Sequence, residues 1–333
     1  MKLNPIFTDN AVLQANKPIS IFGSGKGRAT LKLADAAFEF SSDEDNWCIE
    51  LPAMNYGGPY TLEFSSSEET KILNNICVGE VFLFSGQSNM AFKLKDSNTE
   101  KEYYATSCPD LHYIEITESE VIKPWRDASG DFVAEWSALS YIAGKECALK
   151  KGVAVGIICC AKGASVIESW MPENALQKIG ICLTPEQKYL DHYHEIYGRC
   201  NPDAFLYKQR IMRVIPYTLR GVVWYQGESD ASEDEGMVYC RELEELIRIW
   251  RREFKDENLP FVVVQIADTA ARIRLGNGWR LIQKAQLEIS SVVPNVYTVI
   301  SADVSETDDI HPKSKHQLAL RIAGVITEKI IQH

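Results

Sequence analysis

The sequence predicts an α/β protein in two parts: a small antiparallel β-sandwich over residues 1–75, then a larger domain on a parallel sheet over 76–333. Two contrasts in texture predict it. Up to residue 75, short segments largely alternate apolar and polar residues, with no helical period of comparable strength. From Cys77 onward, β-rich apolar runs alternate with longer stretches of helical period, the rhythm of β-α-β construction. A length of 333 residues leaves room for two cores.

In chain order, the N-terminal strands are expected within 19–22, 29–33, 37–40, 47–51 and 60–64, separated at short intervals by Gly, Ser, Asp and Asn. A Ser/Glu-rich patch over 65–71 is the expected hinge. Strands of the parallel sheet are expected over 79–85, 153–160, 219–225, 261–267 and 296–301. Helices are expected over 136–150, 236–253, 278–290 and 312–331, the last with Leu318, Ile322 and Ile326 at helical spacing.

Composition narrows the function. Apolar residues make up 45% and charged residues 24%, an ordinary globular balance that excludes a disordered or low-complexity chain. A net charge of −11 leaves no basic surface for nucleic acid or an anionic membrane, so neither is an expected partner. The longest apolar stretches, such as 153–161, are far too short to span a bilayer. The first residues include Pro5 and no secretory apolar region, and the nine cysteines form no C-x-x-C pair. Reduced thiols in a cytoplasmic protein, with no metal site and no cofactor, are the expectation.

In open parallel sheets, ligands bind beyond the carboxyl ends of the strands. The first strand ends in Ser85-Gly86-Gln87-Ser88-Asn89-Met90, which puts Ser88 in a strand-to-helix turn with its hydroxyl and its own N–H exposed. Ser88 is a candidate nucleophile; the plainer reading is a helix N-cap. The elbow G-x-S-x-G is not met, because Met90 stands at the second glycine.

A serine nucleophile needs a base, and the histidines are 112, 192, 194, 311, 316 and 333. His311 lies in Asp308-Asp309-Ile310-His311-Pro312, after the last strand and before the last helix. Asp308 can fold back to orient the imidazole, with Asp309 as its competitor. The plainer reading is a helix start with acids and Pro312 in the first turn. His192 and His194 suit metal ligation poorly at their spacing, and His316 and His333 are weaker candidates.

Developing negative charge on an oxyanion needs neutral donors. Gly163 follows one strand and exposes a backbone N–H, unless the glycine merely closes a tight turn. After another strand, Gln226-Gly227-Glu228 offers an amide donor and a carboxylate. Gln226 fits the oxyanion; Glu228 suits a sugar hydroxyl or the orientation of a neighbour. Trp170 and Trp224 could stack on a sugar ring, though core packing is the commoner fate of either.

Gly86-Gln87-Ser88-Asn89-Met90, Gly163 to Trp170, Trp224-Tyr225-Gln226-Gly227-Glu228-Ser229 and Asp309-Ile310-His311-Pro312, in this order, resemble the sialate O-acetylesterase-like carbohydrate esterases of the SGNH hydrolase superfamily. Pro5 to Gln14 and Gly57-Gly58-Pro59-Tyr60 resemble the β-domain that precedes the catalytic domain there. The resemblance implies a flavodoxin-like three-layer α/β/α domain, with Ser88 as nucleophile, His311 as base and Asp308 or Asp309 as its partner. It implies an oxyanion hole from the N–H groups of Ser88 and Gly163 and the Gln226 side chain. Gly163-Ala164-Ser165 departs from the family's common pair of glycines and a threonine, and an acid stands at 308 where many relatives have asparagine.

The implied activity is deacetylation of a sugar, with O-acetylated sialic acid as the substrate class. The alternatives are an esterase for acetylated xylan or another polysaccharide, and a non-catalytic carbohydrate-binding protein. An oligomer is compatible with the sequence, and the N-terminal part is expected to serve packing or oligomer contacts.

Overall fold

The computed structural model describes residues 1–183, 201, 203–269 and 277–331. His192, His194 and His333 lie outside them. The N-terminal part comprises β1 (Lys2–Leu3), β2 (Val12–Gln14), β3 (Ile19–Ser24), β4 (Gly27–Leu33), β5 (Ala36–Ser42), β6 (Asn46–Leu51) and β7 (Gly57–Ser66). Strands β1, β3 and β6 form one antiparallel sheet; β4, β5 and β7 form another ladder, and Trp47 of β6 stacks on Phe64 of β7 at 5.5 Å.

The expected boundary between 75 and 76 falls inside a single strand, β8 (Thr70–Gly86). Its first half pairs antiparallel with β7, and its second half is the centre of the large sheet. Strand β2 also joins β8, in parallel, so the N-terminal ladders are not purely antiparallel and merge with an 11-stranded mixed sheet. The expected hinge over 65–71 is instead a closed hairpin turn. The Ser66 hydroxyl accepts the N–H groups of Glu68 and Glu69, both at 3.1 Å, and locks the reversal.

The large sheet continues with β9 (Cys108–Glu115), β10 (Arg126–Ala128), β11 (Val155–Ala161), β12 (Gly221–Tyr225), β13 (Phe261–Val264) and β14 (Val296–Val299), in the order β10-β9-β11-β8-β12-β13-β14. All pairings in this path are parallel except β10 with β9. The expected flavodoxin-like order would set the second parallel strand beside the first. Here the third, β11, takes that place. Every residue of β11 is buried, whereas β9 carries exposed Pro109 and Asp110, so the strand apolar on both faces occupies the interior. Pro109 also explains why β9 is not visible in the sequence pattern.

The helices that frame the site are α1 (Ser88–Ala91), α2 (Ala138–Lys151), α3 (Glu233–Glu253), α4 (Gly278–Val292) and α5 (His316–Val325). α2 packs against α5, and α3 against α4. α3 starts a turn earlier than expected, because the Ser232 hydroxyl accepts the Glu235 N–H at 3.1 Å and three acids occupy the first turn. α5 starts later than expected: the Glu306 carboxylate holds Ser314 through its N–H (3.1 Å) and hydroxyl (2.6 Å), leaving residues 312–315 in the loop. Among the described residues, no helix is long and apolar enough to cross a membrane.

After β8 the chain steps toward β9 and β11; after β12 it steps the other way, toward β13 and β14. The carboxyl ends of β8 and β12 therefore flank a topological switch point, where open α/β sheets place their ligands.

Candidate active site

At the end of β8, Gly86 adopts φ +138°, and a Cβ there would lie 2.0 Å from the Tyr225 carbonyl oxygen on β12. Only glycine lets the two strands close at that point. The next residue is fixed from both sides: Gln87 N–H donates to Tyr225 O at 3.0 Å, and its Oε1 accepts the Gly227 N–H at 3.1 Å. Ser88 then opens α1, where a backbone N–H has no intrahelical acceptor.

Ser88 Oγ lies 2.8 Å from His311 Nε2, which joins the first strand-end loop of the parallel sheet to the last. That separation suits proton transfer from hydroxyl to imidazole. Burial lowers the His311 pKa, the charge of Asp309 partly restores it, and the nearby Lys315 cation lowers it further. A neutral imidazole, able to accept a proton, is thereby favoured.

Asp309 and Asp308 are both exposed. Asp309 Oδ1 accepts the backbone N–H of His311 at 2.9 Å, so it shapes the loop and acts on the ring through its charge. Among the described residues, no hydrogen bond joins either carboxylate to the imidazole, contrary to the fold-back expected of Asp308. The two-residue reach of Asp309 to the His311 N–H closes the turn first.

Gly163, after β11, faces the serine: a Cβ on it would stand 3.7 Å from Ser88 Cβ. The turn is closed by Lys162 N–H on Gly86 O at 2.9 Å and by the Ser165 hydroxyl on Lys162 O at 2.9 Å.

Gln226 departs from expectation. Its amide nitrogen donates to Ser165 O at 2.8 Å and to the Asp230 carboxylate, while its Oε1 accepts from Tyr239 Oη at 2.8 Å. Both amide protons are engaged inside the protein and none is left for an oxyanion. Glu228 also departs from a substrate-binding position, because it is buried beneath the serine turn with Oε1 accepting from Asn89 Nδ2 at 2.6 Å. Burial pushes its carboxyl up to about 7, with Asn89 and Lys315 opposing. Trp170 and Trp224 are fully buried and pack edge to face at 5.8 Å, and Trp170 Nε1 donates to Ser165 Oγ at 3.0 Å. Both belong to the core. His316 packs edge-on against Tyr103 at 4.9 Å, away from the serine.

Sequence reading assigned no role to Asn89 or Lys315. Asn89 Oδ1 accepts from Lys315 Nζ at 2.6 Å, and Asn89 Nδ2 donates to Ile310 O at 3.0 Å as well as to Glu228. The one available signal was adjacency: Asn89 follows the serine and Lys315 lies four residues beyond the histidine.

Among the described residues, one group of carboxylates could approach a cation: Glu168, Asp230 and Glu235, all buried, with ligand oxygens within 4.8 Å of one another. Asp230 already accepts the Ile167 N–H at 3.0 Å and the Gln226 amide, and burial together with Glu168 raises its carboxyl well above the usual range.

Residues 78–328 match the family model described as carbohydrate esterase, sialic acid-specific acetylesterase. The chain is 25% identical to the sialate O-acetylesterases of Homo sapiens and Pongo abelii, over 84% and 89% of its own length. It spans 59% and 62% of those proteins. A solved carbohydrate acetylesterase from Xanthomonas citri is similar over 99% of this chain and 75% of its own, with 26% identity and a TM-score of 0.87.

Proposed function

As the chain belongs to the family of sialic acid-specific carbohydrate acetylesterases, we propose that it is a serine esterase that removes O-acetyl groups from sugars, with O-acetylated sialic acid as substrate. The observation that carries this reading is the 2.8 Å contact between Ser88 Oγ and His311 Nε2 at the switch point of the sheet.

His311 Nε2 takes the Ser88 proton as Oγ attacks the acetyl carbonyl carbon. The carbonyl oxygen becomes an oxyanion facing the backbone N–H groups of Ser88 and Gly163. Collapse of this intermediate breaks the ester C–O bond, and the imidazolium gives its proton to the departing sugar oxygen. An acetyl group then sits on Ser88 Oγ. Water attacks it with His311 again as base, releasing acetate and restoring the serine. Asp309, whose charge favours the imidazolium, lowers the energy of both charged stages.

The test is hydrolysis of p-nitrophenyl acetate and of O-acetylated sialic acid by wild type and Ser88→Ala, with fluorophosphonate labelling read by mass spectrometry. Ser88→Ala is expected to lose activity by about four orders of magnitude or more while keeping its melting temperature. An active Ser88→Ala protein overturns the assignment. A preference for acetyl-xylose oligomers over acetylated sialic acid would keep the chemistry and overturn the substrate.

A further inference from the structure

Two crosslinks run side by side between the same two dipeptides. Ser88 bonds His311, and Asn89 bonds the carbonyl of Ile310. The peptide unit that carries the histidine is thus held by the residue that follows the serine. With no carboxylate hydrogen-bonded to the imidazole among the described residues, this anchor on Ile310 and the Asp309 contact to the His311 N–H are what hold the backbone that carries the ring.

Asn89 is itself held in one orientation. Its Oδ1 accepts from Lys315 Nζ at 2.6 Å, and its Nδ2 has Glu228 Oε1 at 2.6 Å and Ile310 O at 3.0 Å as acceptors. Lys315 and Glu228 are 1% and 3% exposed, and the Lys315 ammonium lies 4.9 Å from the centre of the Phe92 ring. A lysine and a glutamate buried on opposite ends of one amide are costly to retain for stability alone.

We propose that Lys315 and Glu228, joined through the Asn89 amide, act as a buried positioning tether that holds His311 on Ser88. This rests on the esterase reading above, and it deepens it by naming positioning residues for the same site. The charged groups facing His311 are Asp309 on its own loop and Lys315 at the entry to α5. Lys315 in turn faces Glu228 from the β12 loop, and Glu306 and Asp309 from the loop after β14. A cation at Lys315 disfavours the imidazolium, so its removal raises the His311 pKa and moves the acid limb of kcat/KM to higher pH.

The experiment uses the full chain and p-nitrophenyl acetate. Lys315→Met is expected to lower kcat by about tenfold or more, with KM within about twofold, and to shift the acid limb upward. Lys315→Arg, which keeps the charge, is expected to leave the limb in place. A folded Lys315→Met protein with wild-type kcat and an unshifted limb overturns the tether. Should that variant not fold, Asn89→Asp decides: it keeps the shape and the Lys315 contact but loses both donors, and wild-type kcat there overturns the proposal. A wild-type protein that neither hydrolyses the ester nor takes the fluorophosphonate label fails the esterase reading itself. The NMR titration of His311 in wild type and Lys315→Met then decides the tether alone, and an unchanged imidazole pKa overturns it.

Discussion

Two buried glutamates sit at opposite ends of the central sheet and are treated in opposite ways. Glu80, where the parallel part of β8 begins, receives Arg220 Nε at 2.6 Å and Nη2 at 2.9 Å, Gln14 Nε2 at 3.0 Å, and the Tyr56 hydroxyl. Glu228, beyond the carboxyl end of β12, receives Asn89 on one oxygen, and among the described residues its Oε2 has no hydrogen-bond partner. The first carboxylate is neutralised and saturated with donors, which fastens the N-terminal strands to the sheet. The second is left under-satisfied, and burial brings its carboxyl up to about 7. Burial alone does not mark a functional group; incomplete satisfaction beside a nucleophile does.

The strongest test of this contrast is Arg220→Met, which strands a buried charge at Glu80. It is expected to cost about 3–5 kcal/mol in urea unfolding while kcat per folded molecule stays at the wild-type value. A loss of kcat in the folded variant would break the separation between the two ends. Glu228→Gln sharpens the other side. The folded chain keeps a proton on Glu228 up to about pH 7 that the unfolded chain releases near the ordinary glutamate value, so stability from this group is present at low pH and declines as pH rises through that window. The slope is of order 1.4 kcal/mol per pH unit at most, and the melting temperature of Glu228→Gln should change less with pH between about 5 and 7. An unaltered slope would mean that Glu228 does not titrate there. The smallest effect is expected for Trp170→Phe, which loses the hydrogen bond to Ser165 and some packing. Unfolding should become easier by about 1–2 kcal/mol, with KM for an acetylated sugar unchanged. A rise in KM would return Trp170 to the sugar site.

The parallel strands from Cys77 onward were legible because β-rich apolar runs alternate with stretches of helical period, and Ser88, Gly163 and His311 were legible because each lies in a loop that follows such a run. The order of the strands was not. It depends on which strand is apolar on both faces once packed, and β9 was hidden by Pro109. Gln226 and Trp170 were read by what their side chains can do. The folded chain instead offers them Asp230, Tyr239 and Ser165 first.

The sequence by itself determined the alternation of strands and helices, the glycine at 86, and the presence of a serine and a histidine in loops at strand ends. These follow from local periodicity and from backbone conformations that only certain residues adopt. Tertiary structure alone decided that Ser88 meets His311 across 223 residues and that Lys315 reaches Asn89 across 226. It also decided that Glu80 is saturated while Glu228 is not. A hydrogen bond or a shifted pKa belongs to the few ångströms around a group, and only the packed chain determines what occupies them.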